Sequence, residues 1–271
     1  GVMAYMTPFT HWRERDQLLL KSAEVQPNNL TLHIFSTWSL RNAGRTSEAL
    51  AQAKLAVDTS PWDAASRWNL ALALLQDGRA QDAANVVAEA RRLHPRNVWL
   101  AFGDLFVAEL SAPPSPRMFA IMDDPVWNGV PEAGIFPLLR GGYTTARSGD
   151  AATKRATADI VRDVGLRHPV APSDVIGLLS ALGDIDGAFL VADRFAAPAN
   201  VEKPMAFQPF DTDSLFAPSG AALRRDPRFM RLAARLGLVD YWRSTGHWPD
   251  FCNNDQLPYD CQVEAARLAR R

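Results

Sequence analysis

Apolar residues recur at three- and four-residue steps through most of the first 200 positions, with short polar turns between the runs. That spacing predicts amphipathic helices. One helix is expected over 12–25. A first pair follows, with one helix over 30–42 and the next starting near Thr46. In a second pair, the first helix ends at Gly78, and Ala83, Val87 and Ala90 line the second until His94-Pro95 stops it. Another helix spans 98–110. The pattern breaks at 111–116, Ser-Ala-Pro-Pro-Ser-Pro, because three prolines cannot sit inside a helix. It resumes over 135–147, 151–165, 173–182 and 186–196, after an irregular stretch to Gly134 with one short helix at 116–122. Gly44 suits the left-handed residue after a helix end. Thr46 reads as an N-cap, and Ser60, Pro61 and Asp63 read as a helix start with Ser60 as cap.

The runs repeat. Pro27, Pro61 and Pro95 stand 34 residues apart, and Leu40/Leu74, Gly44/Gly78, Ala49/Ala83 and Ala56/Ala90 keep the same step. A 34-residue period is the signature of tetratricopeptide-type (TPR) helical hairpins. Gly149 and Gly183 keep it again, with a slip of three residues across the proline-rich stretch. The expected fold is all-α: a TPR-like right-handed helical-hairpin solenoid over 1–202, with an insertion at about 111–134. Solenoids need a terminal cap over the last apolar face. Residues 203–271 are expected to supply it, as a long loop to 220, a short helix near Ala221, a helix over 227–236 and a last helix from about 262. Phe229, Leu232, Ala233 and Leu236 share one face of the 227–236 helix.

Charge adds little, since 29 basic residues meet 30 acidic ones. Nothing global calls for nucleic acid or an anionic membrane. No uncharged apolar run is long enough to span a bilayer, and the start Gly-Val-Met shows no signal peptide. Gly1 reads as an expression scar and the chain as a fragment, so membrane attachment is expected only through a missing N-terminal anchor. The two cysteines, Cys252 and Cys261, flank a Pro-Tyr-Asp turn. They read either as a small disulfide loop, which implies an oxidising compartment, or as two reduced thiols of a cytoplasmic protein.

The tail carries a second resemblance. Leu223-Arg224-Arg225-Asp226-Pro227-Arg228-Phe229, Arg235-Leu236-Gly237-Leu238, Tyr241-Trp242 and Thr245-Gly246-His247-Trp248-Pro249-Asp250-Phe251-Cys252 resemble a tail common in bacterial TPR proteins. In those proteins the array often follows a winged-helix DNA-binding domain, in regulators similar to CadC and ToxR; related arrays follow class III adenylate cyclase domains. The resemblance implies a periplasmic sensor or interaction domain of a bacterial transcription or signalling regulator. It supplies no binding residues, and no DNA-binding or cyclase domain lies within these 271 residues.

Catalytic motifs are missing. There is no Gly-x-Ser-x-Gly elbow and no phosphate loop, and His11, His33, His94, His168 and His247 show no metal-ligand spacing. No enzyme, cofactor or metal is expected. Asp211-Thr212-Asp213 begins like a calcium loop but lacks the later Gly and Glu, so a solvated loop is the better reading. The run Arg224, Arg225, Arg228, Arg231 and Arg235 fits either nucleic acid or a solvated face paired with acids, and overall neutrality favours the second.

Register gives the candidate site. In TPR proteins, positions 2, 5, 9 and 12 of each first helix face the concave groove. Counting from Leu30, Ala64, Val98 and Ile135 puts Trp38, Arg41, Trp68, Leu72, Trp99, Phe102, Phe106, Phe136 and Tyr143 there, with Arg147 at the edge. An aromatic lining with sparse polar groups suits a small apolar ligand or a protein partner. Two other readings remain: the rings are interhelical core, or the segment from Phe207-Gln208-Pro209-Phe210 to Leu215-Phe216 folds back and fills the groove. The expected role is a non-enzymatic sensor or interaction domain; the alternative is a structural scaffold docking a partner protein.

Overall fold

The computed structural model of the chain describes residues 2–167, 172–203, 211–254 and 256–269. Every regular element among them is a helix, and sequence neighbours pack side by side. A short turn, α1 (Val2–Tyr5), precedes α2 (Trp12–Val25), α3 (Leu30–Asn42), α4 (Thr46–Thr59), α5 (Ala64–Gln76), α6 (Ala80–Leu93) and α7 (Val98–Glu109). The closest packing is within α3/α4 and α5/α6. Ala49, Ala53 and Ala56 of α4 and Ala83, Val87 and Ala90 of α6 are fully buried, so small side chains lie at the helix contacts.

The caps explain the 34-residue step more directly than the prolines do. Asn29, Asp63 and Asn97, each 34 residues from the next, accept a hydrogen bond from the third backbone N–H of α3, α5 and α7. Each satisfies a donor that the helix start leaves orphaned. The expected cap Ser60 is therefore corrected to Asp63, because the helix begins three residues later. Thr46 is not a self-cap either. A carboxylate from far along the chain does that work: Asp250 accepts from Thr46 Oγ1 and from the Ser47 N–H, both at 2.6 Å.

The insertion contains α8 (Arg117–Met122) and two 3-10 turns, Pro125–Trp127 and Pro131–Ile135. Met118, Ile121 and Trp127 are buried, and Trp127 wedges between Phe102 and Phe136. Four paired helices follow: α9 (Phe136–Ser148), α10 (Ala151–Arg167), α11 (Pro172–Leu182) and α12 (Ile185–Phe195). Gly142 and Gly165 lie against Leu178 and Val175, so a β-carbon at either would collide with α11.

The C-terminal segment does more than cover the last face. It begins with the turns α13 (Pro198–Val201) and α14 (Asp213–Phe216), then α15 (Ala221–Arg225), α16 (Arg228–Arg235), α17 (Leu238–Thr245), α18 (Phe251–Asn254) and α19 (Cys261–Leu268). At one end Arg228 and Arg235 pair with Asp186 and Asp193 of α12. At the other, Trp12 of α2 donates its indole N–H to Leu236 O at 2.7 Å, and Trp242 donates to Ala43 O at 2.9 Å. Arg45 joins Asp16, Glu48 and the Tyr241 hydroxyl. The segment thus spans from α12 back to α2 and α3. One apolar cluster runs through it, from Phe9 and Trp12 to Phe229, Trp242 and Ala265. A disulfide joins Cys252 to Cys261, tying α18 to the start of α19.

Gly44 and Gly78 are equivalent in the repeat, and both take left-handed backbone, with φ of 73° and 79°. Their surroundings differ. A β-carbon at Gly44 would stand 2.6 Å from the Phe216 ring and 2.9 Å from Pro249, whereas one at Gly78 would meet nothing within 4 Å. Gly78→Ala should therefore cost only the backbone term, about 1 kcal/mol. Gly44→Ala should cost about 1–3 kcal/mol more by overpacking. Urea unfolding of both variants checks this, and equal losses would remove the claim that the C-terminal segment seats on this turn.

Candidate binding site

The predicted groove residues fall into three environments. The first is filled by the chain itself. Arg41 is buried and paired with Asp213 in a two-point contact through Nε and Nη2, and its Nη1 donates to Asn69 at 3.3 Å. Next to it, Thr212 donates its N–H to Asn42 Oδ1 at 2.7 Å and its hydroxyl to Asn42 O at 2.6 Å. Leu72 shares a buried cluster with Ala217 of the same returning segment, and Trp38 is half-buried against the main core. Arg41 and Leu72 are therefore internal rather than groove-lining. The solvated-loop reading of Asp211-Thr212-Asp213 is corrected too: Thr212 and Asp213 are buried because their polar groups find partners on α3 and α5. Phe207 to Phe210 lie outside the described residues, as does His168.

A cluster of acids lies near this filled region. Glu109, at the end of α7, accepts from the Tyr143 hydroxyl at 2.8 Å through Oε1, while Oε2 has no hydrogen-bond donor among the described residues. Burial and the neighbouring charge of Asp174 hold the Glu109 carboxyl well above the usual range. Burial also raises Asp174. Asp211 is pushed up to about 7 by burial and by Asp213, against the pull of Arg41. Burial, then the charge of Glu109, raises Tyr143. Arg41 pairs with Asp213 and opposes part of the rise in Asp211.

The second environment is an aromatic ridge. Trp68 stacks on Trp99 at 5.9 Å between centroids, Trp99 leans on Phe102 at 5.9 Å, and Phe102 contacts Phe106 at 6.3 Å. Trp127 links Phe102 to Phe136 through edge contacts at 4.8 and 5.1 Å. The Trp68 ring lies against α7 at Gly103, where a β-carbon would come within 2.4 Å of it. Trp99 stays 60% exposed, and Trp62, beside α5, 67%. Five predicted residues are thus joined in one row. Trp127 was missed because it lies in the insertion, where no period applies; its cue was an aromatic residue in a proline-rich stretch.

The third environment is a concavity of about 460 Å³ between the 111–114 segment, α9, α11 and the 218–225 segment. Tyr143 and Arg147 line it, together with Arg225. The Tyr143 ring is buried and Arg147 is exposed.

Other candidate groups are engaged elsewhere. His11 faces Glu14, His33 contacts Gln52, and His94 contacts Trp62 O. His247 lies 3.8 Å from Glu48. Arg224 is buried and donates to Leu215 O and Ala217 O, and Arg228 pairs with Asp226 and Asp186. Among the described residues no three His, Cys, Asp or Glu side chains converge to hold a metal, and no helix is long and apolar enough to cross a membrane.

No family model matches this chain, and no curated protein matches its sequence.

The acid cluster sets a pH dependence. Glu109, Asp174 and Asp211 have folded-state pKa values above their unfolded ones, so their protonation stabilises the fold fully below about pH 4. That contribution is lost as pH rises through the folded values, about 7 for Asp211. Urea unfolding should show stability falling from pH 4.5 to 7.5 by more than about 1.4 kcal/mol, the value of one pKa unit. Glu109→Gln should flatten the slope. A wild-type curve that rises over this window would contradict the assignment.

Proposed function

We propose that this chain is a TPR-like right-handed solenoid with a C-terminal helical cap, acting as a non-enzymatic sensor or protein-interaction domain of a bacterial signalling or transcription regulator. The hairpin pairing and the caps repeated every 34 residues support the architecture. The tail resemblance supports the regulator context, and the Cys252–Cys261 bond supports an oxidising compartment such as the periplasm. A membrane would enter only through an anchor outside this sequence.

The observation that carries the reading is the aromatic ridge. Rings at Trp68, Trp99, Phe102 and Phe106 run in contact across α5 and α7, and Trp99 remains largely open to solvent. The Trp68 indole N–H is buried with no acceptor among the described residues. Contiguous aromatic surface rich in tryptophan is the usual material of an interface hot spot. The scaffold reading draws on the same exposure: Trp62 and Trp99 present broad apolar area of the kind that docks a protein.

The two readings separate experimentally. A sensor should show a shift in tryptophan emission or melting temperature with a small apolar ligand, and Trp68→Ala or Phe106→Ala should weaken that ligand by about 30-fold, the equivalent of a 2 kcal/mol hot spot. A scaffold should instead copurify with a partner protein and lose it on Trp99→Ala. If binding of either kind is unchanged in all three variants, with helical content retained, the ridge is packing and the proposal fails.

A further inference from the structure

We infer that the concavity behind Tyr143 is a second binding site, separate from the ridge, and that it takes a small amphipathic carboxylate: an apolar body ending in one anionic group. The hollow exists because its walls are small. Ala146 of α9, Gly177 and Ala181 of α11, Pro113 of the insertion and Ala222 of α15 leave about 460 Å³ unfilled, within the range of small-molecule sites. The Tyr143 hydroxyl is already committed to Glu109 at 2.8 Å. Ser111 and Ser180 likewise spend their hydroxyls on Val107 O and Ile176 O. Most of the remaining wall is apolar, with Ser219 Oγ as a buried polar atom that has no partner among the described residues.

Charge selects the ligand. Arg147 and Arg225 both line the concavity, and among the described residues no acidic side chain does. Neither arginine has an ion pair or hydrogen bond among the described residues, although nearby Arg140, Arg224 and Arg228 are all engaged. The two come from different parts of the chain, α9 and α15, so an anion between them would bridge the helix pairs and the C-terminal segment. A planar carboxylate matches the fork of a guanidinium, and two uncompensated cations around a low-dielectric hollow raise its affinity for anions.

Isothermal titration calorimetry of the whole chain tests this with decanoate, 1-decanol and the tripeptide acetyl-Leu-Leu-Leu bearing a free carboxylate. Decanoate should bind one-to-one and at least about tenfold more tightly than decanol, as a charge-assisted hydrogen bond implies. Arg147→Gln and Arg225→Gln should each weaken decanoate about tenfold or more and leave decanol unchanged. Ala181→Trp should abolish decanoate binding by filling the hollow, while Trp99→Ala should not affect it. Equal affinity for decanoate and decanol, or no binding of decanoate, overturns the inference. So does tighter binding of the tripeptide, which would assign the site to peptide ends. Loss of decanoate in Trp99→Ala would move the site to the ridge. Because the arginine variants alter surface residues, they remain informative if Ala181→Trp fails to fold.

Discussion

The structure depends on how the turn between α3 and α4 is held. Seven residues, Arg41 to Ser47, receive partners from segments some 170 to 210 positions later. Arg41 takes Asp213, Asn42 takes Thr212, Ala43 takes the Trp242 indole, Gly44 takes the Phe216 ring, and Thr46 and Ser47 take the Asp250 carboxylate. The polar contacts among these satisfy groups that a helix end or buried charge would otherwise leave costly, and the Phe216 ring packs on the turn. Removing the C-terminal segment would strand a buried guanidinium, the N-terminus of α4 and the apolar face beneath Phe216. The pairs of helices and the C-terminal segment are therefore interdependent, and one core cluster runs through both.

The same constraint divides the predicted groove. Where the returning segment carries hydrogen-bonding residues, from Thr212 to Asp213, it enters and replaces water with protein partners. Where it turns away at Pro218, its small residues and those of α11 leave space. The ridge escapes both fates, because the insertion supplies Trp127 beneath it and nothing described lies over Trp99. A continuous row in register becomes a filled part, an open aromatic part and a hollow.

Much of the helical order was legible in the sequence. The bounds of α2 and α3 follow from apolar spacing and from turn chemistry at Gly44, and the buried face of α16 follows from Phe229, Leu232, Ala233 and Leu236. Register arithmetic also put five ridge residues together. The failures share a cause: local pattern cannot report partners that are distant in sequence. Asp213 looked like a solvated loop acid because its partner, Arg41, lies far upstream, and nothing local marked Asp250 as the partner of the start of α4. Helix α17 was not predicted because its eight residues, bounded by left-handed Gly237 and Gly246, are too short for a clear period. The hollow was invisible because two of its walls come from aperiodic chain.

The distance between the Arg41–Ser47 turn and Asp250 has a consequence for biosynthesis. Ribosomes add about 5–20 residues per second. Roughly ten to forty seconds therefore separate emergence of that turn from emergence of the carboxylate that completes it. During that interval the first hairpin has a guanidinium without its carboxylate, an uncapped α4 and an apolar surface awaiting Phe216. A nascent chain in that state is a natural client for a holding chaperone. Closure of this turn therefore waits until residue 250 has been made, rather than following hairpin by hairpin.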